Sequence, residues 1–204
     1  MLDSTNRALS DRIWNALATP LVAAGLSPNQ VTFLGLVLVA ANCGAYLAHR
    51  NPFWFGLGLA LSFAFDGLDG AVARRTGKSS KFGGYLDAVI DRYQEIAVFF
   101  AIALVTGLWP LCFLALSGSL LTSYNKARTA IEIPIDNTAW PDLMERLERI
   151  IVLCAGLIFD PFLKFPGWPG PLLVALVVIA AFSHITALQR FWRARTRIRA
   201  SEGG

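Results

Sequence analysis

Residues 31–48 (VTFLGLVLVAANCGAYLA) carry no charged side chain. Crossing the hydrocarbon core of a bilayer takes about 20 such apolar residues. Inside hydrocarbon every backbone N–H and C=O must find its partner within the segment, so the run is held to an α-helix. The pattern recurs. A second run goes from Pro52 through FWFGLGLALSFAF to Asp66, and others cover 82–105, 109–128, 141–160 and 171–199. Between them stand breakers: HRNP (49–52), TGLWP (106–110), the Pro-interrupted polar stretch 131–142 and KFPGWPGP (164–171). Ser27 and Pro28 supply an N-cap and first turn for the first run.

The expected fold is therefore an all-α integral membrane protein with six transmembrane helices, spread over residues 21–200. Composition agrees: 55% of the 204 residues are hydrophobic and 16% are charged, against about 25% charged in soluble domains. Residues 1–20 form a juxtamembrane segment, and 201–204 a tail. Within the former, Leu9, Ile13, Trp14 and Ala16 recur at helical spacing, which predicts a short interfacial amphipathic helix over 5–16; an ordinary lead-in helix is the alternative. The segment has no apolar core of the kind a cleavable signal peptide carries. Cys43, Cys112 and Cys154 lie in apolar stretches without C-x-x-C spacing and are expected to be buried free thiols.

Charge gives the orientation. With six spans both termini share one side, and that side holds every Lys and Arg of the 18 except Arg50 and Lys164. Such a bias places it in the cytoplasm. Trp54, Trp109 and Trp168 fall at outer helix ends, and Trp14, Trp140 and Trp192 at inner ends, where amphipathic rings prefer to sit. The net charge of +4 reports on topology, and no nucleic-acid-binding motif is present.

Against this background four carboxylates stand out, in DGLDGAVARRTGKSSKFGGYLDAVID (66–91). Asp66 and Asp69 are three apart near the inner end of the second span. Asp87 and Asp91 are four apart near the inner end of the third. Each spacing puts a pair on one helical face. A hairpin over 73–84, with Gly77, Gly83 and Gly84 as turn formers, would bring all four to one small volume. One charge at bilayer depth costs about 2.5–3.5 kcal/mol on insertion scales, and crowded carboxylates force one another to protonate. Divalent cations relieve both. An all-oxygen site without His or Cys suits Mg²⁺, Mn²⁺ or Ca²⁺, and four carboxylates suffice for two ions about 4 Å apart. The ordinary alternative is solvated aspartates paired with Arg74, Arg75 and Arg92. Gly67, Gly70, Ala71 and Ala73 strip one helix face beside the site, which permits close helix packing or a flat ligand against the backbone, while Arg74 offers a fork for a phosphate.

This pattern resembles the signature of the CDP-alcohol phosphatidyltransferase family, D-x2-D-G-x2-A-R-x8-G-x3-D-x3-D. Asp66, Asp69, Gly70, Ala73, Arg74, Gly83, Asp87 and Asp91 fill its fixed positions. The resemblance implies a six-helix membrane enzyme, usually a homodimer. It would transfer a phosphatidyl-type group from a CDP-linked lipid, CDP-diacylglycerol or CDP-archaeol, to an alcohol and release CMP. It further implies that Asp66, Asp69, Asp87 and Asp91 hold two Mg²⁺ or Mn²⁺ ions, with Asp91 also the general base. The cytidine diphosphate would lie against Asp69, Gly70 and Ala73 with Arg74 on a phosphate. SPNQVT (27–32) also recurs in the family near the nucleotide, which adds Asn29 and Thr32, although Ser-Pro-Asn is equally an ordinary helix start.

Further basic residues bear on the acceptor: Lys126 and Arg128 end the fourth span, Arg146 and Arg149 open the fifth, and Arg190 lies at the inner end of the sixth. Such residues either anchor to lipid headgroups or converge on an anion. SYNKAR, ERLER and QR resemble the subfamily that makes phosphatidylinositol phosphate, which implies inositol phosphate as acceptor with Lys126, Arg149 and Arg190 on its phosphate. Glycerol 3-phosphate is the rival acceptor. An ion transporter would spread carboxylates across the bilayer depth, and these cluster at one end.

Overall fold

The computed structural model describes residues 4–134, 142–163 and 165–202, with side chains from Trp14 onward. Eight helices occupy the described residues: α1 Ser4–Ala23, α2 Pro28–His49, α3 Pro52–Asp66, α4 Leu68–Thr76, α5 Lys81–Thr106, α6 Trp109–Glu132, α7 Arg146–Phe159 and α8 Pro171–Glu202. No strand is present among them. Three stretches are each long and apolar enough to cross a bilayer: Pro28–His49, Pro52–Thr76 and Pro171–Glu202. The other helices fall short individually for visible reasons. The first half of α5 carries Asp87, Asp91, Arg92 and Glu95, and α7 has 14 residues. Large apolar side chains such as Phe33, Phe100, Phe113 and Leu188 are exposed, as lipid contact demands.

The chain divides into two compact units. The first holds the residues up to Ala45 together with Gly58–Val98. Here α2 begins with a reciprocal cap: the Ser27 N–H donates to Gln30 Oε1 (2.8 Å) and the Gln30 N–H to Ser27 Oγ (3.3 Å). Between α3 and α4 lies only Gly67, with the Trp14 indole about one methyl away from it. α4 packs on α1 through Ala18, Leu68, Ala71 and Val72, and Arg75 Nη1 donates to the Asn15 carbonyl and to Thr19 Oγ1 (2.6 Å). Gly77 ends α4 in the left-handed region at φ 65°, where glycine is unstrained.

The second unit comprises Tyr46–Leu57 and Phe99 onward. The Tyr46 and Phe55 rings stack 4.1 Å apart across the bend at Arg50, and Asn51 Oδ1 caps the Phe53 N–H (3.0 Å). α6 and α8 approach closely, with Thr122 Oγ1 donating to the Ser183 carbonyl (3.1 Å) and Asn125 Nδ2 to the Ala187 carbonyl (2.9 Å). Gly156 on α7 faces Ala175 on α8, and Asp160 Oδ1 accepts the Leu172 N–H (3.1 Å). The three cysteines are buried and free.

Several expected bounds need correction: α1 runs over Ser4–Ala23 rather than 5–16, and α8 continues to Glu202, into the expected tail. The hairpin over 73–84 is shorter than expected: α4 runs on to Thr76, and Gly83 and Gly84 sit in the first turn of α5, where Ser80 Oγ accepts the Gly83 N–H (2.9 Å). A side-chain cap therefore overrides glycine's turn preference. The fifth helix, expected to open at Pro141, is not yet helical at 142–145, and α7 opens at Arg146 because Glu145 and Glu148 form a capping box there. Pro141 itself, Trp140, Lys164, the amphipathic side chains before Trp14, and tail residues 203–204 lie outside the described residues.

A Cβ at Gly118 would stand 2.9 Å from the Ser183 Cβ and 3.2 Å from the His184 backbone nitrogen. Gly118→Val is thus expected to lower stability by about 1–3 kcal/mol, read as a lower thermal unfolding midpoint in detergent. An unchanged midpoint would mean that α6 and α8 do not pack this closely.

Candidate active site

Asp66 is the last residue of α3, and Asp87 and Asp91 lie one turn apart on α5. One carboxylate oxygen from each lies within 4.8 Å of the others, a separation that ligands about 2.0–2.6 Å from a shared cation can span. Asp66 is 2% exposed and Asp91 9%. Three close carboxylates with two buried are tolerable only if positive charge or hydrogen bonds compensate. Gln94, fully buried, donates from Nε2 to Asp66 Oδ1 (3.0 Å). Arg92 lies 3.4 Å from Asp91 Oδ2 and 3.5 Å from Glu95 Oε2. Gly35 on α2 faces Asp66 so closely that a Cβ there would collide with its Oδ1. The donor set is oxygen only, which fits a hard divalent cation.

Asp69 departs from the expected cluster of four, standing outside the group of three. Its Oδ2 accepts the Thr32 hydroxyl (2.7 Å) and its Oδ1 the N–H of Gly70. Both of its oxygens are thus engaged by partners other than the three grouped carboxylates. Instead Asp69 lines a cavity of about 250 Å³ with Asn29, Thr32, Gly70, Ala73 and Arg74. These are the six residues expected at the nucleotide. Asp87 lines the same cavity and belongs to the acidic group as well, so the two features are contiguous. Gly83 lets the wall close: a Cβ there would meet Ser80 Oγ at 3.1 Å and Asn29 Oδ1 at 3.3 Å. Sequence reasoning missed Lys78 and Ser80 in this wall, and Gln94 beside Asp66. A lysine and a serine in a polar linker carry little signal, but Gln94 in an otherwise apolar stretch of α5 was a usable one.

The basic residues form a second constellation, within the other unit. Arg149 is 4% exposed and Arg190 5%. Arg190 donates from Nε (3.0 Å) and Nη2 to Asp142 Oδ2, and from Nη1 to the Thr122 carbonyl (2.6 Å). Arg193 Nη1 donates to Asp142 Oδ1 (3.2 Å). Arg149 Nη1 lies 3.5 Å from the Met144 carbonyl. Lys126, half-buried, follows Thr122 by one turn of α6, whereas Arg128 pairs with Glu132. Burial pushes the Asp142 carboxyl up, but the hydrogen bonds and charges of Arg190 and then Arg193 outweigh it and hold it below the usual carboxylate range. A depressed folded value means that the pairing stabilises the fold above the ordinary pKa of about 4 and is lost as pH falls through the folded value. Asp142 and Arg193 were not anticipated as partners, since neither lies near the other in sequence.

Residues 25–179 match the family model for CDP-alcohol phosphatidyltransferase. The chain belongs to that family. The matched region contains the acidic group and the cavity, and Arg190 lies beyond its end. Archaetidylinositol phosphate synthase of Pyrococcus horikoshii is 37% identical over 181 residues, covering 87% of this chain and 88% of the relative. Among solved structures, phosphatidylinositol phosphate synthase of Mycobacterium tuberculosis with CDP-DAG bound matches at a TM-score of 0.75 and 32% identity, over 90% of this chain and 94% of that one. The same enzyme in complex with manganese and citrate matches at 0.78 and 31%, over 90% and 89%. Family membership with these apolar helices makes the protein an integral membrane enzyme.

If Gln94 holds Asp66 in place, Gln94→Leu is expected to weaken divalent-metal binding about 10–100-fold. Titration of Mn²⁺ or Mg²⁺ followed by thermal shift would register this. An unchanged metal response would remove Gln94 from the site's support.

Proposed function

We propose that the protein transfers a phosphatidyl-type group from a CDP-linked lipid, CDP-diacylglycerol or CDP-archaeol, to inositol phosphate and releases CMP. The observation that carries this reading is the contiguity of the acidic group and the cavity of about 250 Å³ through Asp87. The names of the M. tuberculosis and P. horikoshii proteins support the acceptor.

In this reading Asp66, Asp87 and Asp91 would hold divalent metal, with Asp69 as a fourth ligand once it gives up its contact with Thr32. Two ions are proposed, Mg²⁺ or Mn²⁺; the manganese complex of the M. tuberculosis enzyme supports the metal class. When bound, such ions supply the positive charge that makes CMP a better leaving group. The chain's own groups do the rest. Gly70 and Ala73 leave the wall of α4 flat for the cytidine diphosphate, Asn29 and Thr32 border it, and Arg74 takes a phosphate. The acceptor hydroxyl attacks the lipid-bearing phosphorus, the bond from that phosphorus to the oxygen bridging to CMP breaks, and Asp91 accepts the hydroxyl proton. Lys126, Arg149 and Arg190 bind the acceptor's phosphate.

The remaining architecture is read in the same way. Residues 21–200 form the transferase domain with six spans, to which α5, α6 and α7 contribute beside the three long apolar stretches. α1 lies in the interface as a juxtamembrane helix. The active site and both termini face the cytoplasm, supported by the distribution of Lys and Arg. The enzyme works as a homodimer.

CMP release from radiolabelled CDP-lipid, assayed with inositol phosphate, inositol and glycerol 3-phosphate, tests the acceptor. Inositol phosphate is expected to be preferred, and equal use of free inositol would remove the phosphate-binding role from the three basic residues. Asp91→Asn is expected to lower turnover by about 10²–10⁴-fold with CDP-lipid binding retained; retained turnover would remove its base role.

A further inference from the structure

We propose that Asp142 is a positioning residue for the acceptor's phosphate, holding Arg190 and Arg193 together as one anion-binding fork. The inference rests on the reading that the acceptor is a phosphorylated alcohol.

Arg190 and Arg193 are three residues apart on α8 and so share a face. Left to themselves, like charges at this spacing repel and splay into solvent or toward lipid headgroups. Asp142 prevents this by dividing its oxygens between them: Oδ2 accepts two hydrogen bonds from Arg190 and Oδ1 accepts one from Arg193. Its side chain has no exposed surface, that of Arg190 is 6% exposed and that of Arg193 is 24%. The bridge is therefore enclosed at its Arg190 end and open at its Arg193 end.

The donor inventory gives the functional consequence. A guanidinium has five N–H groups. Arg190 directs two at Asp142 and one at the Thr122 carbonyl of α6. Its plane is thus fixed from two sides, and Nη2 also faces Glu145 Oε1 at 3.8 Å. Arg193 directs one N–H at Asp142. Asp142 and the half-exposed Glu145 together balance Arg190 and Arg193, and the buried Arg149 beside them leaves the surroundings positive; a phosphate accepts donors from planar forks of this kind.

Asp142 is itself held. Two residues on, the Met144 N–H donates to Thr186 Oγ1 on α8 (3.1 Å), and the Met144 side chain is buried. The Met144 carbonyl faces Arg149 Nη1 at 3.5 Å. One short strap, residues 142–144, therefore touches Arg149, Arg190 and Arg193. The capping box at Glu145 fixes where this strap ends and α7 begins. Asp142 does not reach substrate in this account; it acts through the arginines.

The test compares wild type with Asp142→Asn and Asp142→Glu in a CMP-release assay at saturating CDP-lipid. Wild type is first run with inositol phosphate, glycerol 3-phosphate and free inositol. Use of a phosphorylated acceptor allows the comparison to proceed with that acceptor, and use of free inositol alone overturns both the reading and the inference. With a phosphorylated acceptor, Asp142→Asn is expected to raise its KM at least about tenfold, with kcat within about twofold and the KM for CDP-lipid unchanged, and Asp142→Glu to recover part of the loss. An unchanged acceptor KM overturns the inference while leaving the reading intact. So does a fall in acceptor KM, which would make Asp142 a competitor of the phosphate, and so does a parallel loss in kcat and both KM values, which would make it structural only. Should Asp142→Asn not yield folded protein, Arg193→Gln removes only the open end of the bridge: a threefold or greater rise in acceptor KM supports the inference, and none overturns it.

Discussion

Three carboxylates brought within 4.8 Å of one another, from the end of α3 and the first half of α5, set the conditions for everything around them. Close like charges in a partly buried place are unstable unless counter-charge is supplied. The neighbourhood is arranged for that need. Gln94 donates to Asp66, Arg92 bridges Asp91 and Glu95, and Gly35 withholds a side chain where one would collide with Asp66. What these contacts do not contain is a soft donor, so the site is shaped for a hard divalent cation.

The cavity lined by Asp69 and Arg74 depends on a second arrangement. Part of its wall, from Asp69 to Arg74, is carried by α4, a helix of 9 residues. A helix that short is marginal on its own in water. It persists because Leu68, Ala71 and Val72 pack against Ala18 of α1 and Arg75 ties the two helices. Adjacent arginines divide the work, with Arg75 turned to α1 and Arg74 lining the cavity. The N-terminal helix is thereby part of the site's support.

In the second unit the same logic operates with the sign reversed. Arg149 and Arg190 are almost fully buried. Buried guanidinium groups need oxygen partners, and the chain supplies carbonyls at Thr122 and Met144 and the carboxylate of Asp142. The result is a pair of guanidinium groups held in place by oxygen partners from α6 and from residues 142–144.

Much of this was legible in the chain. Apolar run length forced helices, because hydrocarbon leaves the backbone no other partner; the cap at Ser27 placed the start of α2, signature spacing singled out Asp66, Asp87, Asp91 and four of the cavity residues (Asp69, Gly70, Ala73 and Arg74), and the SPNQVT stretch added Asn29 and Thr32. Less legible were the places where local signals competed: Gly83 and Gly84 read as turn formers yet are helical under the Ser80 cap, and Pro141 read as a helix start although Glu145 caps α7. The sequence by itself determined the helical membrane architecture, the oxygen-only character of the acidic site and the basic character of the other, since these follow from composition and periodicity along one helix. Only the tertiary structure decided that Asp69 turns to Thr32, 37 residues away, that Gln94 supports Asp66 across 28, and that Asp142 bridges to Arg190 across 48. Periodicity fixes which face of its own helix a side chain occupies, whereas a partner that distant is fixed by where helices meet, and that is set by packing.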